Sequence, residues 1–283
     1  MRPRMLAAFA AGVMTIGLSA APSAASTGGT VDSDNEYDNV GFIMFYDDGS
    51  RYRCSATLVS PTVVLTAAHC TDGTDGKTLV TFDPVIAEEP ADVTLPRAAV
   101  PSEGYTAAEI TDAGYLSGVA STHPDYSDFT DLDTWNDVGV VVLDEPVTDI
   151  EPAELAPLGT LDTIPKNELR KTLFRAVGYG TEVRKADSGP QNPTPQSFPL
   201  VRRYVDMPGQ KLTPQVLQTN GNEKDPFGTG GTCFGDSGGP VFLDGQVVAV
   251  TSYGYTSNCR YLGGYQRVEI DAARDWLAGF GLS

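Results

Sequence analysis

Short apolar runs separated by turn-forming residues recur along most of the chain. Gly41–Tyr46, Thr62–Ala68, Leu79–Phe82, Val138–Leu143, Leu173–Gly178, Pro240–Leu243 and Gln246–Ser252 are rich in Val, Phe, Tyr and Thr, and are bounded by Gly, Pro, Asp or Asn. β-Branched and aromatic side chains suit a pleated, half-buried surface, so these runs predict the strands of an all-β protein. The stretches between them, notably Ala87–Pro96, Asp125–Asp133 and Ser188–Pro199, are acidic or proline-rich and predict surface loops. One segment breaks the pattern. Over Val268–Phe280, the residues Val268, Ile270, Ala273, Trp276, Leu277 and Phe280 fall at near-helical spacing, which predicts a C-terminal helix docked by one apolar face with Trp276 as packing. No repeat of fixed period is visible, which argues against solenoids and propellers.

The first 25 residues stand outside this pattern. Arg2 and Arg4 precede an apolar run from Leu6 to Ala20, and Ser23-Ala24-Ala25 offers a small-residue cleavage site. The run is short for a membrane span, so 1–25 is expected to be a signal peptide removed on secretion. Residues 26–39, rich in Ser, Thr, Gly and Asp, read as an exposed segment and a candidate propeptide. The 283 residues suit one large domain or two compact lobes. Without the signal peptide the chain keeps 37 acids against 17 bases, about −20 in net charge. Such a field disfavours nucleic acid and anionic membranes as partners and favours solubility outside the cell.

Export makes disulfides the expected state of Cys54, Cys70, Cys233 and Cys259, and four cysteines allow three pairings. Zinc is disfavoured because no two cysteines are two to four residues apart. Joining sequence neighbours would close two modest loops, each bridge stabilising by about 3 kcal/mol.

Only two histidines are present, His69 and His123. Gly235-Asp236-Ser237-Gly238-Gly239-Pro240 places a serine between glycines, which allow a tight turn that presents the hydroxyl. The same letters fit the G-x-S-x-G elbow of α/β-hydrolases, but those enzymes place the histidine after the serine and none follows Ser237. A histidine-first order remains. His69 ends the strand Val63–Ala68 and adjoins Cys70, whereas His123 lies in the polar Thr122-His123-Pro124 and is expected on the surface. An orienting carboxylate belongs at the edge of an apolar run, where burial demands a partner. Asp137, opening Val138–Leu143, fits best; Asp131 and Asp133 are in a loop and Asp144 begins a turn.

TAAHC, an acid opening a valine-rich strand, and GDSGGP, in that order, resemble the chymotrypsin–trypsin family of serine peptidases. The resemblance runs from about Val40 to the C-terminal helix. It implies two packed antiparallel six-stranded β-barrels, with 40–150 and 151–283 as lobes of one peptidase domain of about 31–283. It implies the disulfides Cys54–Cys70 and Cys233–Cys259, and a triad of His69 as base, Asp137 as its orienter and Ser237 as nucleophile. Backbone N–H groups of Gly235 and Ser237 would form the oxyanion hole, each donor contributing about 2.7–4 kcal/mol to the transition state. Ser252, Tyr253 and Gly254 match the substrate-binding strand; Ser252 would lie near Asp137, and Gly254 would pair with substrate backbone. Gly231 matches the base of the primary pocket, beside Thr232, and Gly263 matches a wall with Gly254. With Gly231 where an acid would hold Lys or Arg, an apolar side chain before the cleaved bond is expected.

The family's IVGG-type start is missing. Its new terminal amine pairs with the acid before the nucleophile, here Asp236, and Thr30-Val31-Asp32 is the nearest candidate for that terminus. Asp72 and Asp75 follow the histidine loop, but two acids in a turn are ordinarily just solvated, so neither a metal nor a cofactor is expected. The chain is therefore expected to be a secreted, monomeric serine endopeptidase acting on peptides or proteins and open to proteinaceous inhibitors. The competing expectation is a weak or inactive homologue acting as a binding protein, which retention of all three triad residues disfavours. A histidine base must be neutral to act, so the rate should fall in acid.

Overall fold

A computed structural model describes residues 29–183 and 196–282. The expected signal peptide, 1–25, and much of the Ser188–Pro199 loop lie outside the described residues. The chain opens with a short strand β1 (Thr30–Val31) and then builds a closed barrel from β2 (Val40–Asp47), β3 (Ser50–Ser60), β4 (Val63–Thr66) and β5 (Asp75–Thr81). After β6 (Val85–Ala87) and a one-turn helix α1 (Ala107–Thr111), β7 (Leu116–Thr122) and β8 (Gly139–Leu143) complete it. The order around the barrel is β2-β3-β4-β8-β7-β5, with β5 pairing back to β2. β9 (Leu173–Gly178), three short strands β10 (Glu182–Val183), β11 (Gln196–Ser197) and β12 (Leu200–Val201), and β13 (Arg203–Leu212) lead into the second barrel. β14 (Val216–Asn220), β15 (Pro240–Leu243), β16 (Gln246–Gly254) and β17 (Leu262–Arg267) finish it, ordered β9-β13-β14-β17-β16-β15 and closed by β15 on β9. Two closed six-stranded antiparallel barrels and a C-terminal helix are the expected architecture.

Local chemistry explains the hairpins. Asp48-Gly49 joins β2 to β3 and Asp244-Gly245 joins β15 to β16, with φ of 46° and 72° in the first and 51° and 83° in the second. Two-residue turns with positive φ at both positions match the right-handed strand twist, and Asp-Gly adopts them readily. Each barrel then closes over its own apolar cluster: Ile43, Leu58, Leu65, Val80 and Val140 in the first, Phe174, Met207, Leu217, Val241 and Val248 in the second.

Two expectations need correction. The C-terminal helix α2 spans Asp271–Leu277 and tightens into a 3₁₀ turn at Ala278–Phe280, three residues shorter at its start than Val268–Phe280. Ile270 is extended, at φ −120° and ψ 154°, and Val268 still donates its N–H to Val248 O. Ala273 and Leu277 bury against the first-barrel cluster, so the helix reaches back across the molecule. His123 is not a surface residue. It is buried; its Nδ1 accepts the Asp125 N–H at 3.1 Å, its Nε2 lies 3.2 Å from Ala272 O, and its ring packs on Trp276. Contacts with a helix about 150 residues away hold it, and nothing adjacent in sequence signals them.

Candidate active site

The three expected catalytic residues come from three separate loops. His69 lies on the 3₁₀ turn Ala68–Cys70 that follows β4, Asp137 on the approach to β8, and Ser237 in the turn before β15. β4 and β8 are neighbours, with Thr66 opposite Gly139, so the barrel register sets His69 beside Asp137. His69 Nδ1 is 2.9 Å from Asp137 Oδ2 and 3.1 Å from Oδ1, and the His69 backbone N–H donates to Oδ1 at 2.9 Å.

Asp137 is fully buried. A carboxylate taken out of water needs hydrogen bonds to stay charged, and Ser252 Oγ supplies a further one at 2.5 Å. Ser252 in turn accepts the indole N–H of Trp135 at 2.9 Å, and the Asp137 N–H donates to Gln266 Oε1 at 3.0 Å. With Nδ1–H committed to Asp137, the imidazole turns Nε2, its acceptor nitrogen, to the cleft. Ser237 lines that cleft with His69. Its hydroxyl makes no hydrogen bond to the imidazole here; such contacts commonly tighten only when substrate binds.

The turn carrying Ser237 is held from the first barrel. Gly238 has φ +74°, and a Cβ there would lie 1.9 Å from Thr66 Oγ1 and 2.6 Å from Ser55 O, so only glycine fits between the barrels. Ser55 is buried beside Cys54. Its N–H donates to Ser237 O at 2.8 Å, and its hydroxyl donates to Gly235 O at 2.8 Å while accepting the Tyr179 N–H at 2.9 Å. Two carbonyls of the turn are thus tied inward. Among the described residues, the N–H groups of Gly235 and Ser237 have no intramolecular acceptor. Asp236 is buried and accepts the N–H of Gly180 and of Cys233, each at 2.8 Å. Val31, the nearest candidate terminus, is paired with Arg203 in the β1–β13 ladder.

The disulfides Cys54–Cys70 and Cys233–Cys259 are both formed. The first ties β3 to the histidine turn. The second ties the segment before Ser237 to the loop before β17, and beside it opens a cavity of about 290 Å³. Thr232, Ser252, Tyr253, Gly254 and Gly263 line this cavity with Ser237, and among the described residues no charged side chain does. Gly231 stands behind it: a Cβ there would fall 2.5 Å from Gly221 Cα, and Gly221 rather than Gly231 faces the space. Tyr265 crosses the wall and shares a hydrogen bond with Thr232 Oγ1 at 2.9 Å; burial pushes its hydroxyl up to about 12, so it stays neutral.

Sequence reasoning missed an aromatic wall. His69, Phe129, Trp135, Tyr253 and Tyr255 follow one another at ring-centroid distances of 5.5, 5.1, 5.2 and 5.5 Å. Phe129 takes a left-handed φ of 59° inside the acidic loop, in sequence an isolated aromatic without period. Ser55 and Gln266 were equally invisible, because the partners that tie them to the site lie at least 124 and 129 positions away.

Residues 27–277 match the family model described as Trypsin. Brachyurin of Leptuca pugilator is 30% identical over 83% of this chain and 89% of its own length. Trypsin of Phaedon cochleariae is 31% identical over 79% and 77%. Among solved structures, HL collagenase superposes with a TM-score of 0.60 at 17% identity, covering 92% of this chain and 98% of that one. Human heparin binding protein does so with a TM-score of 0.58, also at 17% identity, covering 89% and 95%. Likeness at that identity speaks to the fold, and a fold alone does not carry an activity.

Proposed function

The chain belongs to the trypsin family of serine endopeptidases, and from that premise we propose that it is secreted and cleaves peptide bonds through His69, Asp137 and Ser237. Ser237 Oγ attacks the scissile carbonyl as His69 Nε2 takes its proton, and Asp137 stabilises the resulting imidazolium. The oxyanion is received by the N–H groups of Gly235 and Ser237, whose lack of another acceptor among the described residues supports that role. His69 passes the proton to the leaving amine, and water then releases the acyl group. The observation that carries this reading is the buried Asp137 carboxylate on His69 Nδ1, with Ser237 in the same cleft.

The uncharged, tyrosine-walled cavity supports a preference for apolar side chains immediately before the cut. Aromatic peptide substrates are expected to be cleaved at least about tenfold faster, by kcat/KM, than arginyl ones, and Ser237→Ala to abolish both activities. Faster arginyl cleavage would overturn the pocket assignment. Undiminished cleavage by Ser237→Ala would overturn the mechanism. Secretion rests on Arg2, Arg4, the Leu6–Ala20 run and Ala25. N-terminal sequencing of exported protein is expected to begin at Ser26, or further along the 26–39 segment if that is removed as a propeptide, and a protein retained in the cell with Met1 intact would contradict secretion.

A further inference from the structure

If a peptide crosses Ser237 with its acyl side in the 290 Å³ cavity, its leaving side must continue over the other flank of the serine. A second cavity, about 820 Å³, lies there. Ser237 and Phe234 border both cavities, whereas His69, the donor to the leaving amine, and Gly235 border only the second. The second cavity is therefore where residues after the cut would travel.

Its charge runs against the rest of the molecule. The chain has 37 acids and 19 bases, yet among the described residues this wall carries Arg51, Arg53 and Arg97 against one acid, Asp47. Among the described residues none of the three arginines makes an ion pair. Arg51 is pinned at the wall by its Nη1–H bond to Pro96 O, at 3.0 Å. Arg53 lies beside Gly235: a Cβ on that glycine would be 3.4 Å from its Nε. Withdrawal from water lowers the Arg53 pKa, against the pull of Asp236 behind it. A guanidinium that is partly desolvated and unpaired gains most from a carboxylate brought by a ligand, through charge-assisted and often bidentate hydrogen bonds.

We propose that this arginine-walled cavity binds the leaving side of the substrate and selects peptides carrying Asp or Glu within the first three residues after the cleaved bond. Three residues of extended chain span about 10 Å, and Arg53, beside Gly235, sets the start of the arginine wall next to the serine turn. The exposed Phe198 and Phe234 add apolar surface for the intervening side chains. The proposal rests on the peptidase reading above.

Internally quenched peptides sharing one aromatic acyl side, and differing only in Asp, Asn or Lys at those three positions, test it. Wild-type protein is expected to cleave the Asp series about tenfold faster than the Lys series by kcat/KM, with Asn between them. Arg97→Gln, at an exposed position, and Arg51→Gln should each shrink that ratio. Equal or faster cleavage of the Lys series, or an Asp advantage that both variants keep in full, would overturn the proposal. A small aromatic ester with no residues after the cut separates the two levels of inference. If the ester is hydrolysed but acid after the cut brings no advantage, only the leaving-side assignment fails; if neither ester nor peptide is hydrolysed, the peptidase reading itself fails.

Discussion

Ser55 shows how much of the site depends on one hydroxyl. It is buried, and its Oγ joins Tyr179 of the second barrel to Gly235 while its N–H holds Ser237 O. Removing the hydroxyl leaves the Tyr179 N–H and the Gly235 carbonyl unpaired, a cost of about 1–3 kcal/mol. That cost is relieved most simply if the peptide joining Gly235 to Asp236 tilts, which would disturb the two peptides flanking it, the ones that carry the candidate oxyanion donors Gly235 N–H and Ser237 N–H. Ser55→Ala is therefore expected to lower kcat about tenfold with little change in KM, because a donor to the developing oxyanion is felt mainly in the transition state. Steady-state kinetics on an aromatic peptide distinguishes this from general loosening, in which KM rises while kcat holds. Ser55 acts through the backbone of its neighbours and is a positioning residue. The sequence marks it only as the residue after Cys54, whereas Asp137 could be picked out because an acid heading a run of valines needs a local reason.

Among the elements, the hairpins and the N-terminal strand are opposite cases. Asp48-Gly49 and Asp244-Gly245 carry their turn chemistry in two adjacent letters. β3, which leaves the first of these turns, was not foreseen because Ser50-Arg51-Tyr52-Arg53 opens it without an apolar run, Arg51, Tyr52 and Arg53 lining the cleft. β1 is held in place by groups remote in sequence. Arg202, fully buried, donates from Nε to Asp32 Oδ2 at 2.8 Å and from Nη1 to Val40 O at 2.9 Å and Phe82 O at 3.0 Å, and also binds Asn35. One guanidinium thus joins the N-terminal segment, the first barrel and the strand entering the second. Breaking a buried pair from one side leaves an uncompensated charge, so Arg202→Met is expected to cost about 3–5 kcal/mol. Urea unfolding reads that loss as a lower midpoint; a change under about 1 kcal/mol would mean that Asp32 finds another partner or reaches water once the arginine is gone.

At the scale of the whole molecule, the order of motifs along the chain and the geometry of the site carry different kinds of information. An all-β chain, a histidine before a serine, a glycine-flanked serine turn and an apolar C-terminal segment were legible because each depends on residues near one another in sequence: alternation, turn chemistry and local spacing. Pairings between residues far apart in sequence could not be read that way. His123 against the C-terminal helix, Ser55 under the Ser237 turn, Phe129 beside His69 and three arginines facing one flank of Ser237 all arise from barrel register and from the packing of one barrel on the other. Net charge offers the sharpest contrast. Composition makes the chain acidic wherever its residues end up, but a basic cleft exists only because closure of the first barrel brings Arg51, Arg53 and Arg97 to the same wall. Local patterns fix which segments can be strands, turns or helix, since those preferences act over a few bonds; which side chains meet is settled only when strands from distant parts of the chain close their ladders.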